Sequence, residues 1–202
     1  MSLKKSNIDI IPEKRLGDIA KIRAGFAFRK KVEPVEGGEV YAIQMKNLDK
    51  NYTRIAKNPY KVKLDRKIEK HLLKEGEVLF VSKGTNNFAF VFDESNPYKK
   101  AVASSTFFVL KTRDDVVPGY LAWYINQQSA QRHFEKTLEG TSQRNITRKS
   151  LSDLIIKIPS KEHQEIIAEL YKLSRREQDI VLQLKEKREL LLQTTLFNSI
   201  NF

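Results

Sequence analysis

A chain of 202 residues with 40% apolar content can bury a real core, which excludes wholesale disorder; it suits one ordinary domain plus an appendage, or two small domains. It has no cysteine, which excludes disulfides, a thiolate nucleophile and zinc–thiolate sites. The formal net charge of +12 lies wholly in residues 1–160, where 30 Lys and Arg face 18 Asp and Glu, whereas residues 161–202 hold 7 of each sign. A basic body beside a neutral tail points to a polyanion-binding head and a tail with another task, although a merely solvated basic surface would give the same balance. No apolar run approaches the roughly 18 residues of a membrane span, and no basic-then-apolar leader with a small-residue cleavage site is present. The expectation is no membrane association and a cytoplasmic location.

Taken in chain order, "RLGDIAKI" (15–22) predicts a helix. "EVYAIQM" (39–45), "GEVLFVS" (76–82), "NFAFVF" (87–92) and "STFFVLK" (105–111) are short runs rich in Val, Phe and Tyr, which is strand composition. "GG" (37–38), "GTNN" (84–87) and "ESNPYKK" (94–100) read as turns or loops between them. "PGYLAWYINQQSAQRHFEKTL" (118–138) predicts one helix, with Pro118 near its start and Gly140 just past its end. "SLSDLIIKIP" (150–159) predicts a helical turn capped by Ser150 or Ser152, then a strand ended by Pro159.

The remainder has no Gly or Pro between Lys161 and Ile200 and is dense in Leu, Glu, Lys and Arg, so it predicts one long helix with Ser160 at its start. At a seven-residue period one column reads Leu170, Glu177, Leu184, Leu191, and the other Ile166, Leu173, Ile180, Lys187, Thr194. Such a stripe must be buried against its own domain, a second copy or another protein. A helix of about forty residues spans roughly 60 Å, longer than the body is wide, so the stripe is expected to pair outside its own globule. The fold class expected is therefore α+β. A mixed, polyanion-binding body occupies 1–159, and a long pairing helix occupies 160–202.

Catalytic constellations are missing. There is no G-x-G pair and no GxxxxGK[ST] loop, so no dinucleotide, S-adenosylmethionine or nucleotide-phosphate cradle is predicted. His71, His133 and His163 have no metal-ligand spacing. Asn-Pro-Tyr occurs at 58–60 and 96–98 and reads as a turn in both places; Asp65-Arg66-Lys67 reads as a solvated surface loop. No cofactor, no metal and no catalytic residue is expected, which leaves a self-contained nuclease or methyltransferase without support.

Reading duplex DNA takes cations for phosphates and planar amide or guanidinium groups for base edges. Four stretches supply both. "KIRAGFAFRKK" (21–31) offers Arg23, Arg29, Lys30 and Lys31, and "QMKNL" (44–48) offers Gln44, Lys46 and Asn47. "SKGTNN" (82–87) offers Lys83, Thr85, Asn86 and Asn87 around Gly84, which allows close approach of a phosphate to the backbone. "GTSQRNITRK" (140–149) offers Gln143, Arg144, Asn145 and Arg148. Each alone is compatible with a polar turn, and Phe26, Phe28, Phe88 and Phe90 are expected to pack the core. A coiled-coil adaptor whose basic body binds RNA or an acidic protein is the alternative reading.

"RLGDIAKIRAGFAF" (15–28), "LKEGEVLFVSKGTNN" (73–87), "ITRKSLSDLIIKIPSKEHQEIIAEL" (146–170) and the heptad tail, in that order, resemble the DNA-specificity (S) subunits of type I restriction–modification systems. The resemblance covers nearly the whole chain from about Arg15. It implies a non-catalytic subunit that binds double-stranded DNA and recruits methyltransferase (M) and restriction (R) subunits, which carry the cofactors. Members usually hold two repeats, each a target-recognition domain followed by a long helix, and the two helices pack antiparallel as a ruler between half-sites. This sequence has one repeat, so the resemblance implies a half-S form, homodimerising through Ile166, Leu170, Leu173, Ile180, Leu184 and Leu191. The stretch Thr141–Lys149 is then expected to form a hinge facing the DNA, locked into the core by Leu151–Ile158.

Overall fold

The structure, a computed structural model, describes residues 11–49, 54–63, 65–84, 86–94, 96–138 and 145–200. It divides into two compact units, Met1–Ala168 and Glu169–Phe202. The division falls inside the last helix.

The first unit is a mixed α+β layer structure. Its central layer is a four-stranded antiparallel sheet made of β2 (Ala20–Ala24), β5 (Glu77–Val81), β6 (Ala89–Phe92) and β8 (Phe107–Thr112), in the order β2-β8-β5-β6. A three-stranded sheet lies against one face: β3 (Val40–Ile43), β4 (Tyr60–Val62) and β7 (Ala101–Ala103), in the order β4-β3-β7, with β3 and β7 parallel. Helices α1 (Leu16–Ile19), α3 (Pro118–Ile125), α4 (Gln128–Leu138) and α5 (Arg148–Ser152) cover the other face. A two-stranded ladder, β1 (Glu13–Arg15) with β9 (Ile155–Lys157), ties the start of the unit to its end. The short α2 (Arg66–Glu69) follows β4.

Alternation along β5 explains the layering. Val78 and Phe80 enter the cluster under the helices, with Leu110, Leu121 and Phe134. Leu79 and Val81 enter the cluster between the sheets, with Ile43, Phe90 and Val109. Every residue of β5 is buried, including Glu77, because both faces of the sheet are covered. On the outer side of the second sheet, Val40, Ala42, Val62 and Val102 pack with Val32 and Ile68, and Phe26 and Phe28 lie partly buried against them.

The four strands predicted between 39 and 111 are present, each within a residue or two of its expected bounds, and the fifth, predicted within 150–159, is β9. The helix expected over 15–22 stops at Ile19, because Ala20–Ala24 pairs antiparallel with Thr112–Phe108. The helix expected over 118–138 is two helices. At the break the Asn126 side chain accepts from Ala89 N–H and donates to the Ala89 carbonyl, both at 2.8 Å, and so satisfies the open edge of β6. Thr147 caps α5, accepting from Ser150 N–H at 3.0 Å, where Ser150 or Ser152 was expected. Asp65 opens α2 instead of sitting in a loop, its carboxylate accepting from Lys67 N–H at 2.9 Å and Ile68 N–H at 2.7 Å. The two Asn-Pro-Tyr copies meet: Tyr98 Oη donates to Asn58 Oδ1 at 2.7 Å.

The long helix, α6 (Lys161–Ser199), has 39 residues. Its first turn is fixed by Gln164, which is 1% exposed. The Gln164 amide accepts from Val117 N–H at 2.9 Å and donates to the carbonyls of Asp115 and Pro159 at 3.1 and 3.0 Å. A buried amide with all these partners holds the first turn of the helix in the first unit. The second unit continues this helix from Glu169.

Candidate nucleic-acid interface

The strand directions bring the candidate stretches to one rim. β2 ends at Ala24, opposite Phe108, and β5 ends at Val81, opposite Phe107, so both finish where β8 begins. β3 and β7 run parallel and finish together at Ile43 and Ala103. The loops after β2, β3 and β5 therefore emerge on the same end of the two-sheet stack. Cross-bonds lock them: Phe26 N–H donates to Ala103 O at 2.7 Å, Ser104 N–H to Ile43 O at 2.8 Å, and Ser82 N–H to Thr106 O at 2.9 Å. The approach at Gly25 is so close that a Cβ there would lie 2.1 Å from the Ser104 carbonyl oxygen. The fourth stretch joins through a bridge between Lys83 and Asn145 and a 2.8 Å bond from Ile146 N–H to Ser82 O. Gly84, at φ +98°, turns the third loop beside the Met45 methyl.

Individual side chains divide into two groups. Arg29, Lys30, Lys46, Lys83 and Asn86 are exposed. Lys46 Nζ stands 4.3 Å from the centre of the Tyr60 ring, a cation–π contact that positions the ammonium. Arg23, Asn47, Asn87 and Arg148 are engaged within the fold. Arg23 forms a 2.7 Å ion pair with the buried Glu77 and donates to the carbonyls of His71 and Leu72. Asn47 is 3% exposed; its Oδ1 accepts from Gln44 N–H at 2.8 Å and its Nδ2 donates to Asn58 O. Asn87 is 7% exposed and donates to Val81 O at 3.0 Å. Arg148 donates to Ile22 O from an otherwise exposed side chain. Asn47 and Asn87 thus shape the loops rather than facing outward, because burying an amide requires internal partners. Thr85, Gln143 and Arg144 lie outside the described residues.

Two further features were not legible in the sequence. One is a groove of about 950 Å³ in which Lys67 and Lys70, from α2 and its end, join Arg29, Lys30 and Lys31. Phe26 packs edge-on against Phe28 at 4.8 Å and against His71 at 5.5 Å in this groove, and Phe90 lies in the core. The other is the use of Arg23 to neutralise Glu77. Only the strand order shows it: Arg23 on β2 lies opposite Val109 of β8 and reaches across that strand to Glu77 on β5.

On α6, Ile166, Leu170, Leu173, Ile180, Leu184 and Leu191 are 47–68% exposed in the single chain. Among the described residues no helix is long and apolar enough to cross a membrane, and no cluster of three metal-ligating side chains occurs.

Comparison with solved structures places this architecture. The chain resembles a component of a type I restriction–modification complex studied for its assembly and conformational transition, with a TM-score of 0.63 at 16% identity, over 95% of this chain and 45% of that one. It resembles the HsdS subunit from Thermoanaerobacter tengcongensis (TM-score 0.56, 16% identity, 86% of this chain and 40% of that one). The type I restriction–modification S subunit from M. genitalium gives 0.53 at 14% identity over the same shares. The chain thus spans less than half the length of the structures it resembles. No curated protein matches the sequence. The family model for the type I restriction modification DNA specificity domain matches residues 11–189, and the chain belongs to that family.

Proposed function

We propose that this chain is a non-catalytic, sequence-reading DNA-binding subunit of half-S form, which binds one half-site of a duplex with the rim described above. The observation that carries the reading is the convergence of the basic stretches after β2, β3 and β5 on one end of the two-sheet stack, joined there by the described end of a fourth at Asn145. Arg29, Lys30, Lys46 and Lys83 contact phosphates and set register, while Asn86, with Gln143, Arg144 and Asn145, reads base edges. The exposed stripe of α6 pairs with the same stripe of a second copy, which would give a two-fold reader of a split palindrome. The assembled dimer recruits M and R subunits in the cytoplasm, and extrusion of the target base falls to the M subunit. Here the compact domain is taken to end at 159, where the pairing helix begins.

The test is selection from a random duplex library by the full chain together with a methyltransferase subunit. One split sequence is expected to be enriched and to outcompete random duplex by at least about a thousandfold. An unenriched library, or equal competition by single-stranded RNA, would overturn the reading and favour an adaptor.

A further inference from the structure

A second basic surface lies away from the rim, along the outer edge of the four-stranded sheet. We infer that Lys21, Lys111, Arg113 and Arg148 form a sequence-independent clamp for the phosphodiester backbone of duplex DNA; the inference rests on the DNA-reading proposal and extends its footprint beyond the rim. These four cations line an open cleft of about 440 Å³, with the hydroxyl residues Thr112 and Ser152 beside them and no carboxylate in its walls. Lys21 on β2 and Lys111 on β8 are direct register partners. Like charges facing each other across an antiparallel pair destabilise the ladder. Neither lysine has an ion pair among the described residues, so none of the described acids offsets the repulsion. Arg113 contributes a weak pull on the Asp115 carboxyl, which belongs mainly to Lys14.

The position of the cleft matches a nucleic-acid track. The chain leaves the rim at Asn145, bridged to Lys83, and three residues later Arg148 reaches the carbonyl of Ile22 on β2. A basic path therefore runs from the reading loops to the cleft, and a duplex held at the rim would lay its backbone along it. An edge strand can also carry a lysine simply to discourage pairing with other sheets. That role accounts for Lys21 on the outer strand, and leaves Lys111 on an inner strand and Arg113 beyond it unexplained.

The experiment measures binding of the full chain to a mixed-sequence duplex across a salt series. The variant K21Q/K111Q is compared with wild type and with K99Q/K100Q, which removes the same charge just before β7, at the opposite end of the second sheet from the rim. K21Q/K111Q should make the slope of log affinity against log salt less negative by about 1.8, roughly 0.9 for each lost phosphate contact. Its melting temperature should be unchanged or raised, because the opposed pair is relieved. An unchanged slope, an equal change in K99Q/K100Q, or aggregation of K21Q/K111Q with no change in slope would overturn the clamp while leaving the rim proposal standing. Failure of the wild type to bind any duplex would overturn both.

Discussion

β5 and α6 are built from similar apolar residues and end in opposite situations. In β5, Val78, Leu79, Phe80 and Val81 are all 0% exposed, shared between two cores that the chain supplies to itself. In α6, Leu170, Leu184 and Leu191 are at least 47% exposed in the single chain. A strand between two layers is satisfied by a single copy. A helix striped on one side is stable by itself only through propensity and spaced charge pairs such as Lys185–Glu189. The first region's stability is thus a property of the folded chain, and that of the second should depend on what it meets and at what concentration.

Phe80→Ala should test this contrast hardest. The Phe80 ring is fully buried 5.3 Å from that of Phe134, and its loss should destabilise the first unit by about 3–5 kcal/mol, read by denaturant unfolding. Glu77→Ala should cost about 3 kcal/mol by leaving the Arg23 guanidinium without its carboxylate, and should leave base preference unchanged if Arg23 is structural. A smaller effect is expected in alkali. Burial pushes the Tyr120 phenol up to about 12 from 10.0, and its hydroxyl donates to the Lys157 carbonyl. Its folded-state value is raised, so the folded chain holds this proton where the unfolded chain releases it. Stability should be intact below pH 10 and fall by about 1–2 kcal/mol as pH rises toward 12, with Tyr120→Phe removing the dependence. Paired substitutions L173E and L184E should change the unfolding of the first unit least of all, while the mass in solution drops from dimer to monomer. An unchanged mass would remove the pairing role proposed for α6.

Much of the layer structure was legible because β5, β6 and β8 are dense in Val and Phe between turn signals. β1, β4, β7 and β9 have three residues each, too few for alternation to register, and of these only β9 fell within a predicted strand. The break at Asn126 was hidden for another reason. Leu121, Tyr124, Ile125 and Phe134 keep helical spacing across it, and the cause of the break is a strand more than thirty residues earlier. At the rim, residue type alone did not separate Asn86, which is exposed, from Asn87, which is spent on Val81 O.

Composition and periodicity were sufficient to determine the basic body, the neutral helix and the candidate reading loops, because charge balance and heptad spacing are local properties of the chain. Which cations are free and which are already paired was decided only by tertiary structure. Strand order lets Arg23 reach Glu77 across β8, while register sets Lys21 against Lys111, and an ion pair or a repulsion is a matter of a few ångströms between residues distant in the chain.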